Sequence, residues 1–213
     1  MKTALIAGAT GLVGGHLLEL LLQSTRYDRV VAITRQPIAV TSPKLDNVIS
    51  DIDQLHEHQG KLRADDVFCC VGTTIRKAKT QEAFKKVDYD FPLSLAQLTL
   101  QAGATQYLIV SALGADVNSK FYYNRIKGEI EQALKKVGFP TLHIFRPSLL
   151  LGKRSEDRAG EDAAKLFFKW FGFLVPKKYK AIDAGRVAAV MWKEATKDLR
   201  GEFTHESGVM LNG

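Results

Sequence analysis

The stretch IAGATGLVGGHLLELLL, residues 6 to 22, combines an apolar segment, closely spaced glycines and a leucine-rich segment with helical spacing. Gly8, Gly11 and Gly14 form the pattern G-x-x-G-x-x-G where a predicted strand passes into a predicted helix. The first glycine permits a tight turn, the second lets backbone approach a pyrophosphate, and the third lets helix pack closely on strand. The pattern at this position predicts dinucleotide binding rather than a glycine turn alone.

We expect this whole turn to contact the cofactor, through Gly8, Thr10, Gly11, Leu12, Val13 and Gly14.

Strand and helix patterns alternate along the rest of the chain. The predicted strands are TALIAGA, RVVAIT, NVIS, DVFCCVG, QYLIVSA and TLHIFRP, and helices are predicted over 12–24, 80–102 and 121–137. Continuous apolar strands separated by helices indicate a parallel sheet buried on both faces. We therefore predict an α/β fold with a doubly wound parallel sheet, in strand order 3-2-1-4-5-6, plus a short final strand from ESGVML. Residues 1–213 are expected to form a single domain with a small C-terminal substrate-side extension.

Charge alone does not select a partner. The chain has 213 residues, with 30 Lys and Arg against 23 Asp and Glu, a net charge of +7 that would attract nucleic acid, anionic membrane or phosphorylated small molecules. The basic run over 76–86 includes Phe84, but the spacing of Phe84 with Val87 and Phe91 indicates core rather than a base-stacking surface. A solvated helix face is the favoured interpretation, so no nucleic-acid partner is expected.

Cysteine usage bears on the compartment. Cys69 and Cys70 are adjacent on a predicted strand, where they point to opposite faces and make poor disulfide partners. We therefore expect a reduced, cytoplasmic protein. No apolar run is long enough for a membrane-spanning helix, so no membrane span is expected. His56 and His58 are interpreted as loop polarity rather than metal ligands, and no metal is predicted.

The end of the second strand bears on the choice of cofactor. NAD-binding proteins commonly carry an acidic residue there that holds the ribose 2′-hydroxyl, whereas this chain has Thr34 and Arg35. A guanidinium suits a 2′-phosphate through charge-assisted contacts, so NADP is predicted; the alternative is a surface arginine. Asp51, after the third strand, is either an acceptor for the adenine amino group or a solvated loop acid.

A second set of residues carries candidate chemistry. Tyr123 and Lys127 are four residues apart and share one face of a predicted helix, and Ser111 closes the preceding strand. A nearby ammonium stabilises a phenolate and lowers the pKa of a tyrosine, and a serine facing the same space would hydrogen-bond a substrate carbonyl. A Tyr-x-x-x-Lys pair is common on helix surfaces, so taken alone it favours a solvated face.

Together with the glycine turn, the sequence resembles the short-chain dehydrogenase/reductase superfamily over nearly its whole length. The matching segments are GATGLVGG, CCVGTT, VSALGAD, YYNRIK and FRPSLLLG. The segments VGTTIRKAKTQEAFKKVDYD and SALGAD…YYNRIKGEIE most resemble the atypical branch of Tat-interacting, tumour-suppressor-type NADPH-binding proteins. The resemblance implies an NAD(P)-binding Rossmann fold with NADP as cofactor.

The resemblance also implies roles for individual residues. Tyr123 would be the general acid and base, Lys127 would bind the nicotinamide ribose, and Ser111 would orient the substrate. The residues implied to line the cofactor elsewhere are Gly72, Thr73, Pro147 and Ser148. Many members of the family carry an asparagine on the helix before the serine strand, whereas this chain reads KVDYD with Asp88 near that position. A water-bridged proton relay through that position is therefore in question.

Two functions remain open at this point. The first is an NADPH-dependent reductase of a small carbonyl compound, which the Ser-Tyr-Lys set favours. The second is an NADPH-binding regulatory protein with a protein partner, which the small C-terminal part favours. The aromatic segment 163–175 is interpreted as a core helix, with a substrate lid and a membrane-surface helix as the alternatives.

Overall fold

The structure is a computed structural model that describes residues 2–152 and 180–212. The aromatic segment 163–175 lies outside the described residues. Nine strands occur within the described ranges: β1 (Lys2–Ala7), β2 (Tyr27–Thr34), β3 (Leu45–Ile49), β4 (Asp66–Cys69), β5 (Gln106–Val110), β6 (Thr141–Arg146), β7 (Leu150–Leu151), β8 (Ile182–Asp183) and β9 (Gly201–Glu206).

Seven of these strands form one parallel sheet in the order β3-β2-β1-β4-β5-β6-β9, while β7 and β8 pair separately. The predicted doubly wound α/β fold and the order of its first six strands are confirmed. The chain runs outward from β1 through β2 and β3, and then returns to place β4 on the other side of β1. In a fold of this kind, the crevice for a ligand is expected at the carboxyl ends of the strands where the order reverses, here β1 and β4.

The final strand was predicted in the wrong place. It is Gly201–Glu206 and pairs with β6, whereas most of ESGVML is the short helix Ser207–Met210. Ser207 and Met210, three residues apart, are the buried residues of that helix, which is helical spacing. The true strand was missed because GEFTHE has few aliphatic residues, a composition that an edge strand tolerates.

The helices within the described ranges are α1 (Leu12–Gln23), α2 (Ile75–Ala78), α3 (Gln81–Lys85), α4 (Phe91–Gln101), α5 (Tyr122–Val137), α6 (Ala184–Ala195) and α7 (Ser207–Met210). A 3₁₀ segment covers Leu55–Lys61, and a π-helical turn at Lys86–Asp90 joins α3 to α4. The helix predicted over 80–102 is thus helical over most of its length but is interrupted by this turn. Helix α5 ends as predicted, at Gly138 in the left-handed conformation.

Each face of the sheet has its own apolar core. Alternate residues of β1 point to opposite faces, so Leu5 joins one core and Ile6 the other. The core that contains Leu5 packs against α4 and α5, and the core that contains Ile6 packs against α1 and α6. Covering both faces leaves the carboxyl edge of the sheet as the place where loops from several strands meet.

Candidate cofactor and active site

The glycine turn after β1 is tightly constrained. Gly8 has φ +85°, and a Cβ there would lie 2.6 Å from backbone atoms of Cys70 at the end of β4. A Cβ on Gly14 would lie 2.1 Å from the carbonyl oxygen of Gly8. Glycine is therefore required at both positions, because α1 packs directly on the turn and the turn packs on the neighbouring strand.

Helix α1 presents its amino end to the crevice. Gly11 is its N-cap, and no side chain forms a capping hydrogen bond there. The first N–H groups of a helix lack intrahelical partners and carry partial positive charge, so they suit a pyrophosphate. Thr10 and Gly11 are exposed, Leu12 is half-buried, and Val13 and Gly14 are buried. These residues form a cradle that a side chain at Gly11 would fill, which fits a bound dinucleotide.

The loop after β2 is held by a residue that sequence analysis missed. Asn47 on β3 donates to Thr34 Oγ1 at 2.7 Å and accepts from the Ile38 N–H at 3.1 Å. These bonds fix the backbone on both sides of Arg35, whose side chain is exposed. Arg35 thus lies at the carboxyl end of β2, where an adenosine 2′-substituent is expected.

The carboxylate of Asp51, after β3, accepts hydrogen bonds from nearby backbone N–H groups. Its Oδ1 accepts hydrogen bonds from the N–H groups of Asp53 at 2.9 Å and Gln54 at 3.1 Å. This is the pattern of a short acidic side chain that stabilises a turn. The interpretation of Asp51 as a loop acid accounts for these contacts, and its contact with adenine stays a prediction.

The loop after β4 meets α5 at a buried ion pair. Asp88, in the π-helical turn, has Oδ1 at 2.7 Å from Lys127 Nζ, and its Oδ2 accepts from the Thr73 N–H at 2.8 Å. Asp88 and Lys127 are almost fully buried. A Cβ on Gly72 would lie 3.5 Å from Asp88 Oδ1 and 3.8 Å from Lys127 Nζ. The predicted cofactor residues Gly72, Thr73 and Lys127 therefore lie together, and Asp88 joins them.

The charge of Lys127 is maintained by its neighbours. Burial alone would lower the pKa of Lys127, but the carboxylate of Asp88 outweighs this effect, and the pKa is raised above its ordinary value. Lys127 is thus an ammonium at neutral pH. Asp88 is its buried counter-ion, with Oδ1 2.7 Å from Nζ.

Tyr123 lies one turn before Lys127 on α5 and is half-buried. Its ring packs against Phe84, with ring centroids 5.5 Å apart. Phe84 is fully buried and also contacts Tyr122, at 5.9 Å between centroids. Phe84 is therefore core, as predicted, and it fixes the ring of Tyr123 from α3.

Ser111 is held by a carboxylate that sequence analysis missed. Its hydroxyl donates to Oε1 of Glu131 in a short hydrogen bond. Both oxygens of Glu131 also accept from Arg146, at 3.1 Å and 2.6 Å. This bidentate bond raises the pKa of Arg146. The single proton of the Ser111 hydroxyl is therefore already donated within the protein.

Glu131 follows Lys127 by four residues and Tyr123 by eight, so all three lie on the inner face of α5. The sequence did contain a signal for this contact: Glu131 is an acidic residue on the helix face that buries Ile130 and Leu134. Eight residues of helix, or about 12 Å, separate the backbone of Glu131 from that of Tyr123. Ser111 therefore lies against α5, but its hydroxyl is bonded to Glu131, the member of this set that is farthest along the helix from Tyr123.

The loop after β6 is bonded to its neighbours. The Pro147 carbonyl accepts from the Leu113 N–H at 2.9 Å, which joins the loops after β5 and β6. The Ser148 hydroxyl donates to the Lys180 carbonyl and accepts from Ser207 Oγ at 2.9 Å. Pro147 and Ser148 thus lie at the carboxyl edge as expected, with the serine hydroxyl already engaged.

A separate cluster, His143, Glu194 and His205, brings ligand atoms within 4.8 Å of one another. His143 Nδ1 and His205 Nε2 are 3.0 Å apart, the ring centroids are 5.2 Å apart, and the ring planes differ by 20°. The two ring centroids are farther apart than the two nitrogens by nearly two ring radii. Each nitrogen therefore lies on the side of its ring that faces the other ring, and the two nitrogens point at each other. This geometry is a hydrogen bond, because a metal bound to both nitrogens would lie off the line of their lone pairs.

Comparison with known proteins identifies the family. A family model described as HIM1 matches residues 50–169. Protein HTATIP2 of Rattus norvegicus is 36% identical over 171 residues, which cover 78% of this chain and 70% of that protein. The mitochondrial protein FMP52 of Lodderomyces elongisporus is 32% identical over 218 residues, which cover 95% of this chain and 90% of that protein.

Among solved structures, MoeE5 in complex with UDP-glucose and NAD has a TM-score of 0.73 at 18% identity, covering 95% of this chain and 74% of that chain. This likeness supports the fold alone: the chain has the NAD(P)-binding Rossmann-type architecture.

The comparisons correct one prediction. The expected cytoplasmic location is wrong, because the fungal relatives from Lodderomyces elongisporus, Emericella nidulans and Candida albicans are all named mitochondrial. Two adjacent cysteines, both free, gave no basis for choosing a compartment. Within residues 2–152 and 180–212, no helix is long and apolar enough to cross a membrane.

The resemblance to the Tat-interacting branch is confirmed by the match to HTATIP2. With a family model that covers more than half of its length and relatives above 30% identity over most of it, the chain belongs to the HIM1 family.

Proposed function

We propose that this protein is an NADP(H)-dependent reductase of a small carbonyl compound. The observation that carries the proposal is the position of Lys127. Its ammonium is buried beside Gly72, at the strand end next to the glycine turn, and one turn from Tyr123 on the same helix face. A buried ammonium next to a tyrosine at a dinucleotide crevice suits proton transfer coupled to hydride transfer.

The chain's own residues would hold the cofactor along the carboxyl edge. The amino end of α1 and the turn at Gly11 would hold the pyrophosphate, and Gly72 and Thr73 would line the nicotinamide half of the cofactor. Lys127 keeps donors for the ribose hydroxyls after its contact with Asp88. The cofactor, when bound, supplies the hydride. The loop of Pro147 and Ser148 would lie beside the nicotinamide.

Proton transfer would fall to Tyr123. As a carbonyl is reduced, its oxygen gains negative charge, and the Tyr123 hydroxyl donates its proton to that oxygen. The ammonium of Lys127 stabilises the phenolate that remains. Phe84 restrains the ring and so limits the directions in which the hydroxyl can point.

A second candidate function is an NADPH-binding regulatory protein with a protein partner. The observation that favours it is the engaged hydroxyl of Ser111, whose proton is donated to Glu131. A serine in that state does not donate to a substrate carbonyl, so one member of the Ser-Tyr-Lys set is committed elsewhere.

The two candidates differ in a Tyr123→Phe experiment. The purified protein is mixed with NADPH and a panel of aldehydes and ketones, and loss of reduced-nicotinamide absorbance is followed. Tyr123→Phe removes the hydroxyl and keeps the ring against Phe84, so turnover should fall by roughly 10² to 10⁴ while NADPH affinity persists. Tyr122→Phe is the matched control, since Tyr122 packs on the same ring and donates only to the Gln81 carbonyl.

Full turnover in Tyr123→Phe would contradict the reductase proposal. Tight NADPH binding by calorimetry, together with no turnover of any panel compound, would favour the regulatory candidate.

A further inference from the structure

Asp88 is the buried acid of the site that faces the candidate catalytic lysine. The π-helical turn Lys86–Asp90 carries it inward, where its side chain is almost fully buried. One carboxylate oxygen is 2.7 Å from Lys127 Nζ, and the other accepts the Thr73 N–H at 2.8 Å. Asp88 therefore binds both the lysine and the loop that follows β4.

The pair changes the electrostatic effect of Lys127 on Tyr123. An isolated buried ammonium strongly favours a phenolate next to it. An adjacent carboxylate opposes that field, because the phenol then faces an ion pair rather than a single positive charge. The amide of an asparagine at this position would leave the ammonium without a counter-charge.

Within residues 2–152 and 180–212, other titratable groups around Lys127 do not alter this balance. The groups whose charges act on it are Asp88 from the π-helical turn, Tyr123 from its own helix and Cys69 from β4. Burial raises the pKa of the Cys69 thiol, so that thiol is neutral at physiological pH. Asp88 is thus the acid that opposes Lys127 at this position.

We propose that Asp88 is a positioning residue that pairs with Lys127 and so keeps Tyr123 protonated, which poises the site for reduction. The inference rests on the proposed reductase function. Reduction consumes the phenolic proton: the O–H bond of Tyr123 breaks, a new O–H bond forms on the former carbonyl oxygen, and solvent returns a proton to the phenolate. A phenol that is already ionised cannot take the first step.

Ionisation of Tyr123 can be measured without a substrate. The protein is labelled with [¹³Cζ]tyrosine, and the ring signal of Tyr123, assigned with Tyr123→Phe, is followed by NMR against pH. In Asp88→Asn the signal should titrate at least one pH unit lower than in the unmodified protein, a change of about tenfold or more in the acid constant. Tyr122, in the same spectrum, is the internal control and should not move.

A second variant separates the effect of charge from that of misfolding. It is needed because Asp88→Asn leaves a buried ammonium unpaired, which destabilises the fold. The double variant Asp88→Asn/Lys127→Met removes both charges, and Tyr123 should then titrate within about half a unit of the unmodified protein. A titration that moves up by a unit or more in the double variant would mean that Lys127 acts unopposed, and this would overturn the proposal. An unchanged titration in Asp88→Asn would overturn it as well.

The pH profile of turnover gives a third readout. With any carbonyl compound that the panel supplies, the fall in reduction rate at alkaline pH should begin at least one unit lower in Asp88→Asn. An unmoved alkaline limb would contradict the inference about Asp88 and leave the reductase proposal standing. Absence of all turnover would instead contradict the reductase proposal, while the NMR titration still decides the role of Asp88.

Discussion

The carbonyl oxygen of Gly8 is the atom that two later glycines of the turn approach. A Cβ on Gly11 would lie 3.2 Å from it and a Cβ on Gly14 would lie 2.1 Å from it. The two positions therefore tolerate an added side chain to different degrees. At Gly14 any side chain forces α1 away from the turn, so substitution there tests folding. At Gly11 the neighbour needs to shift by only a few tenths of an ångström, so substitution there tests binding.

We predict that Gly11→Val weakens NADPH binding by about tenfold or more, because its branched side chain occupies the space that a pyrophosphate needs. The sheet should stay folded, with an unchanged circular dichroism spectrum. Gly15→Ala is the matched control, since its Cβ would make an ordinary 3.7 Å contact with the Ala9 carbonyl. Calorimetry that finds equal NADPH affinity for both variants would refute the role of the turn.

At the residue scale, the sequence predicts which candidate residues come together better than it predicts their hydrogen bonds. Gly72, Thr73 and Lys127 come together as expected, because parallel strands end at one edge. The partner of the Ser111 hydroxyl was missed: the helical register indicated that Glu131 faces inward, but the group that it meets depends on how α5 packs. Hydrogen-bond direction is a property of packed neighbours, and a single sequence does not contain those neighbours explicitly.

At the scale of elements, the edge strand β9 is joined to its neighbour by polar side chains as well as by its ladder. Arg146 Nη1 on β6 donates to Glu206 Oε1 at 3.0 Å, and His143 Nδ1 lies 3.0 Å from His205 Nε2. The two histidines also stack with aromatic rings, and the His143 and Phe203 centroids are 4.9 Å apart. These contacts explain how a strand with few aliphatic residues stays paired, and why apolar pattern alone did not reveal it.

The histidine pair predicts a loss of stability in acid. Burial, together with His205, lowers the pKa of His143 to about 4, and burial also lowers the pKa of His205. Because an unfolded histidine has a pKa near 6.5, the unfolded chain binds the proton more tightly, and His143 contributes stability above that pH. This contribution, about 3 kcal/mol from His143, should be lost progressively as pH falls from about 6.5 to 4.

Urea unfolding at pH 7 and at pH 4.5 measures this effect. His143→Phe keeps a flat ring between its neighbours but removes the titrating group, so its free energy of unfolding should depend less on pH than that of the unmodified protein. His16→Gln, at an exposed position of α1, controls for the loss of a histidine. An equal pH dependence in His143→Phe and the unmodified protein would exclude the pair as the cause.

For the whole molecule, a cofactor that binds only the folded chain raises its melting temperature. Arg35 lies where a 2′-phosphate is expected, so we predict that NADPH binds about tenfold more tightly than NADH, a difference of about 1.4 kcal/mol. For a chain of this size, equal saturating concentrations should then give melting temperatures that differ by roughly 3 to 6 °C.

Thermal melts of the unmodified protein and of Arg35→Ala, each with NADPH and with NADH, test this preference. Most of the difference should vanish in Arg35→Ala, while NADH stabilises both proteins to a similar degree. Equal stabilisation of the unmodified protein by the two cofactors would show that Arg35 does not read the 2′-phosphate.

The hydrogen bonds of Asn47 have a consequence for how this chain can change over time. They hold the loop after β2 through the Thr34 hydroxyl and the Ile38 backbone, and the Arg35 side chain takes no part in them. The side chain at position 35 is therefore free to be exchanged while the loop keeps its path. We expect cofactor preference in such a scaffold to change by single substitutions at position 35 while the chain stays folded, whereas Gly8 and Gly14 of the neighbouring glycine turn leave no room for a side chain.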